Sequence, residues 1–535
     1  MPTKIHPALP FVALIFLLVF GASQRSIWYD EAITLQTLAA DRFVMGPTGF
    51  VMLGDVGRYF DGTTTLSELI QRYAETDVHP PLYFVLLHFA GLVFGGGLMA
   101  ARAVSIALVA LSVWLYWRAL GRTGTAHRSV YAAVFALSFA MVSSAQDARG
   151  YALALLCATA AWSLAALCDT PRTNRERVWL EAGVGLACAA LLYTHYFALF
   201  VVVPILGWRT LRAIGDRRAL ALIGPAVCAV LFAPWVPVLL EQMTTRPGQM
   251  TGFSGIVDWF RGASNFVPAQ VFSLAWPDAP EWLQARGRDL VLLAMIGGAA
   301  KCLWTWRDPS AFGAFSRLAL WVPATGIALF LAASIVMDRW FMTFRYFVFF
   351  APFLAFLAAH GALWAGAALR RAGGGGRPWL KVTPAAILIA AQCAALNFGW
   401  EAIGTRGGNY FPTMRQQIEA AGPQDSLVII DTGTGRGTLL AAAHALPRST
   451  PAYLLDPDPE SWRSAAPQIA ARAQSRSLVL LVYTIERGAM GSDKAALYLP
   501  IQDALTAAGF IRSAAPPGNR GGRYYARWVR KDATG

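Results

Sequence analysis

Uncharged apolar residues run from Ala8 to Ser23, stop at Gln24 and Arg25, and then return in a long series of similar runs. These lie near residues 101–117, 130–145, 150–168, 182–193, 196–208, 219–239, 289–306, 318–336, 346–367 and 382–398. Most approach the ~20 residues that a helix needs to cross a bilayer. With the first run they predict eleven crossings. The run from Pro81 to Gly95 is shorter. Were it to cross, Arg118, Arg122 and Arg128 would emerge on the same side as Asp30, and the asymmetry of basic loops would be lost. It is therefore read as a surface segment. The two runs around Tyr193-Thr194-His195-Tyr196 are also short, which predicts half-length helices meeting at a turn that lines a cavity.

Past Trp400 the pattern changes. Short apolar strands, Leu427 to Ile430 and Leu478 to Tyr483, alternate with helical stretches such as Ile469 to Ala473 and Ile501 to Ala508. The expected architecture is an all-α polytopic membrane protein with a small C-terminal extracytoplasmic α/β domain. Residues 1–400 form the membrane module, in which 24–100 make an extracytoplasmic catalytic loop with interfacial helices, and residues 401–535 form the outer domain. Asp431-Thr432-Gly433-Thr434-Gly435-Arg436-Gly437 follows a strand, but its glycines lack the spacing of a dinucleotide fingerprint. It reads as a tight strand-to-helix turn.

Composition agrees with a membrane class: 535 residues, 56% hydrophobic, 14% charged, mean hydropathy +0.45. The net charge of +14 comes from Lys and Arg tracts between apolar runs, so it marks cytoplasmic loops and not a nucleic-acid partner. The six cysteines lie in or beside apolar runs and form no CxxC metal motif. Lys4 and Gly21-Ala22-Ser23 would also suit a cleaved signal peptide; an uncleaved first span is expected, since it anchors the acidic stretch that follows.

Chemistry gathers on one side. The loops opposite the basic tracts carry Asp30, Glu31, Asp77, His79, Asp147, Arg149, His195 and Arg345. Ionisable groups kept near lipid are costly and point to function. Plainer roles exist for several: Asp30 and Glu31 suit the first turn of a helix, and His195 suits a cap between two helices. Asp77, His79 and His195 are also ligand types for a divalent ion.

Six short motifs, in this order and on one side, form a recognisable set: Asp30-Glu31 after the first span, Asp77-Val78-His79-Pro80-Pro81-Leu82, Arg102, Ala148-Arg149-Gly150-Tyr151, Thr194-His195-Tyr196 and Arg345-Tyr346. The set resembles the GT-C fold glycosyltransferases of the protein O-mannosyltransferase type (glycosyltransferase family 39-like), which include lipid A aminoarabinose and core galacturonosyl transferases. The likeness covers about residues 8 to 398, with Gly150 standing where the family often has a bulky residue. It implies an inverting transfer from a polyprenyl-phosphate sugar to an outer glycan, lipid or protein acceptor, in the cell inner membrane, without a nucleotide. It further implies catalytic carboxylates at Asp30, Glu31 and Asp77, with Asp30 as general base, and Asp147 nearby. Donor phosphate contacts would come from His79, Arg102, Arg149, Tyr151, Arg345 and Tyr346. The rival class is a polytopic transporter or lipid flippase. Such proteins tend to show internal repeats and charges in mid-span, and neither is evident here.

Overall fold

The computed structural model describes residues 9–39, 42, 44, 48–76, 78–170, 173–215, 219–245, 252–272, 281–373, 378–398, 410–456, 458–484, 498–513 and 523–531. They divide into two compact units. The first comprises Met1–Ala22, Ile70–Phe89 and Ala101–Trp400; the second comprises Ser23–Leu69, Ala90–Ala100 and Glu401–Gly535.

The first unit is helical. Among the described residues five helical segments are long and apolar enough to cross a membrane: Leu98–Gly121, Tyr196–Gly215, Ala219–Thr245, Ala311–Val336 and Phe344–Ala372. A sixth arises if Arg128–Ala136 and Phe139–Ala145, bent by 55° at their junction, count as one span. Eleven were expected from the apolar runs. The difference lies in helices that are short or that begin in charge. Tyr151–Leu167 has 17 residues, nearly all of them buried. Asn174–Leu192 opens with Arg175, Glu176 and Arg177, and Glu281–Trp304 carries Arg286, Arg288 and Asp289. The surface segment after Pro81 is a helix, Leu82–Phe94, of 13 residues.

The helices on either side of His195 are not half-length. They run from Asn174 to Leu192 and, after one 3-10 turn, from Leu199 to Gly215. Their polar ends continue as helix because the charges neutralise one another inside the bundle. Arg209, fully buried, donates from Nε to Glu181 at 3.1 Å and from Nη1 to Asp169 at 2.8 Å, and its Nη2 also pairs with Glu181. The turn at His195 is as expected.

The second unit is an α/β sandwich around one six-stranded sheet. Its strands are β1 (Gly49–Met52), β2 (Ser426–Asp431), β3 (Pro451–Leu455), β4 (Leu478–Thr484), β5 (Phe510–Ser513) and β6 (Arg523–Arg530), in the order β1-β3-β2-β4-β6-β5. Strand β2 pairs in parallel with β3 and β4, with Ile429 opposite Tyr453 and Leu481; β1, β5 and β6 pair antiparallel. Strict alternation gives each face its own core. Val428, Ile430, Leu480 and Val482 face the helices Tyr29–Leu38, Tyr410–Ala421 and Arg436–Ala445. Leu427, Ile429, Val479 and Leu481 face Trp462–Ala473 and Leu499–Ala507. The N-terminal loop is thus part of the domain: it supplies an edge strand and a covering helix.

Arg209→Leu leaves Glu181 buried without its cation, while Asp169 keeps Arg212 at 3.6 Å and Arg317 at 3.8 Å, a loss of about 3–5 kcal/mol. The expected outcome is a large fall in the unfolding temperature in detergent, whereas Arg415→Leu, which removes an exposed pair with Glu419, changes it little.

Candidate functional site

Three stretches of the first unit meet around Gly150. The backbone N–H of Leu82 donates to the carbonyl of Tyr193 at 3.0 Å, tying the His79 segment to the His195 turn. A Cβ on residue 150 would stand 3.2 Å from Thr194 Cγ2 and 3.5 Å from Tyr83 Cβ, so glycine lets the Arg149 segment lie against both. This accounts for Gly150 in place of a larger residue. The hydroxyl of Tyr83 is 2.8 Å from Ser105 Oγ, which donates to the Asp147 carbonyl at 2.7 Å and fixes the backbone ahead of Arg149.

At the junction Arg149, only 4% exposed, donates from Nη2 to His79 Nε2 at 3.0 Å. Its guanidinium also lies 5.7 Å from the centre of the Phe84 ring, which is stacked on Tyr73. His195 presents its ring edge-on to His79, centroids 5.8 Å apart, and packs against Tyr151, Phe197, Tyr346 and Phe349. Its Nδ1 accepts the Phe197 N–H at 3.3 Å, which assigns the proton to Nε2. That Nε2 is buried and has no hydrogen-bond partner among the described residues. Burial, helped by His79 and the charges of Arg149 and Arg345, holds the imidazole well below its usual pKa. His195 is therefore a neutral donor at physiological pH, and positive charge here belongs to the arginines. Arg345 is half-buried in the 3-10 segment Phe344–Phe350; Tyr346 stacks on Phe197 at 4.0 Å. Gln270 anchors the segment, donating to the Phe344 carbonyl at 3.0 Å.

The remaining expected residues of this unit take other positions. Arg102 is buried and donates to the Ala22 carbonyl at 2.8 Å. Asp147 is buried, and Asp77 lies outside the described residues. Among the described residues no group of three His, Cys, Asp or Glu is placed to hold a metal ion. The guanidinium against His79 also opposes a divalent cation there. Ser105, Phe197 and Phe349 carried no sequence signal beyond an apolar context.

The acidic pair belongs to the second unit. Asp30 and Glu31 lie in the first turn of Tyr29–Leu38, where the helix dipole favours carboxylates. Glu31 is fully buried, and its Oε2 accepts the Trp28 N–H at 3.2 Å. Asp30 is one residue nearer the helix start, its carbonyl accepting from the Thr34 hydroxyl at 2.9 Å. The glycine-rich turn of the α/β domain sets this helix in place. A Cβ on Gly437 would lie 2.7 Å from Tyr29 Cβ and 2.9 Å from the Tyr29 carbonyl oxygen. Gly435 has φ +91°, which suits glycine. The carboxylate of Asp431 accepts from Gly433 N–H and from Tyr498 Oη, both at 2.8 Å, so the turn's own acid occupies its concave side.

Residues 78–240, which include His79, Arg149 and His195, match the family model for dolichyl-phosphate-mannose-protein mannosyltransferase. The apo crystal structure of ArnT from Cupriavidus metallidurans superposes with a TM-score of 0.50 at 14% identity, over 97% of each chain. ArnT bound to undecaprenyl phosphate gives 0.49 at the same identity and coverage. The Archaeoglobus fulgidus oligosaccharyltransferase gives 0.47 at 12% identity, over 96% of this chain and 73% of that one. The apo ArnT likeness shows the fold. No curated protein matches the chain.

Two glycines test these arrangements. Gly437→Val is expected to lift Tyr29–Leu38 from its support, seen as faster amide exchange in residues 27–38 than in β2 and β4. Gly150→Val is expected to cut activity at least about tenfold while leaving the unfolding temperature within a few degrees, read from turnover beside a thermal scan.

Proposed function

We propose that this chain, a membrane glycosyltransferase of the GT-C fold, moves a sugar from a polyprenyl-phosphate donor to a hydroxyl of an extracytoplasmic acceptor, with inversion at the anomeric carbon. The observation that carries the reading is the buried Arg149–His79 pair beside a neutral His195. It is a cationic, preorganised and largely dry place, suited to a phosphate. The donor class named by the matching family, dolichyl-phosphate-mannose, has this chemistry. In this reading the chain is an eleven-span protein of the cell inner membrane. Its basic tracts lie in the cytoplasm, and its acidic pair and α/β domain lie outside. A lipid-linked donor would then reach the arginines from the bilayer without leaving it.

The transfer needs a base and a stabilised leaving group. Asp30 takes the proton of the acceptor hydroxyl as that oxygen attacks the anomeric carbon, an assistance of about 10²–10⁴-fold. The bond from the anomeric carbon to the phosphate oxygen breaks, and its electron pair leaves with the polyprenyl phosphate. That anion needs positive charge and no proton, which Arg149 and Arg345 supply in a low-dielectric setting. His195 Nε2–H donates to a donor oxygen, and Tyr346 lines the contact. Glu31, fixed on the Trp28 N–H, positions Asp30; Asp77 is the third candidate carboxylate. The acceptor is a glycan, lipid or protein hydroxyl.

Purified protein in nanodiscs, given a panel of radiolabelled polyprenyl-phosphate sugars with a cell-envelope extract as acceptor, is expected to consume one donor. Asp30→Asn should lose at least about 100-fold in turnover with donor binding retained, and Arg149→Gln should weaken both. Wild-type turnover by Asp30→Asn would remove it as base. Failure of the wild type to bind any lipid-linked sugar would overturn the donor class.

A further inference from the structure

At the far end of the first unit a cavity of about 750 Å³ opens between five helical elements, all within that unit. It lies at the opposite end of Ala351–Ala372 from Phe349, which touches His195. The 21 residues from Phe349 to Arg370 span about 30 Å at 1.5 Å per helical residue, a bilayer's hydrocarbon thickness. Its rim is basic: His127, Lys301, Arg370, Arg371 and Lys381 line it, and among the described residues no Asp or Glu does. Arg370 and Arg371 are exposed. No salt bridge is formed by Lys301, Arg370, Arg371 or Lys381 within the described residues. Burial and the Lys381 ammonium hold His127 below its usual pKa, as a field of one sign requires. Inside the rim the walls are aromatic, with Trp304 83% exposed and Trp364 beside it, as in the belt where a helix meets lipid headgroups.

The floor carries a second signal. His360 is 92% buried, its ring packed on Phe312 and Phe356. Its Nδ1 lies 2.7 Å from the Tyr131 hydroxyl, yet Nε2 has no hydrogen-bond partner among the described residues. A buried ring nitrogen without a partner, beneath a basic rim, calls for one. When Tyr131 donates to Nδ1, Nε2 carries the proton and is a donor for an anion's oxygen.

We infer that this cavity binds the phosphate headgroup of an anionic phospholipid, with the basic rim around the phosphate, His360 Nε2 below it, and the acyl chains along Trp304 and Trp364. The shared chemistry is a phosphate oxyanion. A lipid is favoured over free phosphate because the charged rim continues into exposed apolar surface and the volume exceeds that of a small ion. Basic pockets between spanning helices hold lipid headgroups in this manner. The site is distinct from the proposed transfer chemistry and does not depend on it.

The test is native mass spectrometry of the full chain, titrated in detergent with dioleoylphosphatidylglycerol, dioleoylphosphatidylcholine or inorganic phosphate. Phosphatidylglycerol is expected to remain bound and to raise the unfolding temperature, and phosphatidylcholine to do neither. Arg370→Gln/Arg371→Gln, on the exposed rim, should bind phosphatidylglycerol at least about tenfold more weakly. His360→Phe, which keeps the ring but removes the nitrogens, should weaken it several-fold. Equal retention of both lipids, unchanged affinity in the rim variant, or inorganic phosphate displacing the lipid at equal concentration would each overturn the proposal.

Discussion

A guanidinium inside an apolar helical bundle must find partners, and the first unit is arranged around three that do so differently. Arg102 meets a carbonyl near the end of the first helix, at Ala22. Arg209 meets two carboxylates and closes the polar ends of two helices. Arg149 meets the His79 imidazole and the Phe84 face. The second matches the cation with full opposite charge. The first and third set it against neutral groups, a carbonyl in one case and an imidazole with a ring face in the other.

The carboxylate side of the chemistry follows a different logic, set by the second unit. Glu31 is spent on the Trp28 N–H, so the helix start is rigid and Asp30 is presented from a fixed turn. That helix is held by packing, and the closest approach is at Gly437. The α/β domain therefore acts as a support for the acidic pair as much as a module of its own. β1, drawn from the same N-terminal loop and paired to β3 from Gly49 to Met52, makes the attachment continuous. Such a design places the acidic pair on rigid elements, where side-chain geometry is best kept.

Much of this was legible from residue patterns. The apolar runs foretold the helices, strand alternation foretold the α/β domain, and the GT-C likeness of the motifs agrees with the fold of apo ArnT. The glycine-rich turn was rightly read as a strand-to-helix turn, and His195 does sit between two helices. Helix length was not legible. Asn174 and Arg209 stand in polar flanks that look like loops, and only the Glu181–Arg209–Asp169 contacts show why those flanks stay helical. The membership of residues 49–52 in the six-stranded sheet was equally hidden. A four-residue edge strand has too short a period to announce itself, and its partner lies about 400 residues on.

The two ends of Ala351–Ala372 make the same physical point with opposite means. At its start Phe349 and Phe350 are buried, Phe349 against His195, and Arg149 and Arg345 add positive charge nearby. At its end Arg370 and Arg371 are exposed on the rim of a cavity lined below by His360, held to Tyr131. One helix thus separates a place where an imidazole is kept neutral by burial and neighbouring cations from one where several cations crowd a wet rim. The stretch between them, Ala351 to Ala359, is apolar and buried throughout and separates the two fields. Separation comes from distance: across the ~30 Å of helix from Phe349 to Arg370 the direct interaction between unit charges is below about 1 kcal/mol at an effective dielectric of about 20. The two sets of basic residues can therefore be tuned independently, which is what a membrane enzyme needs if one end is to hold a reacting phosphate and the other to sit among lipid headgroups.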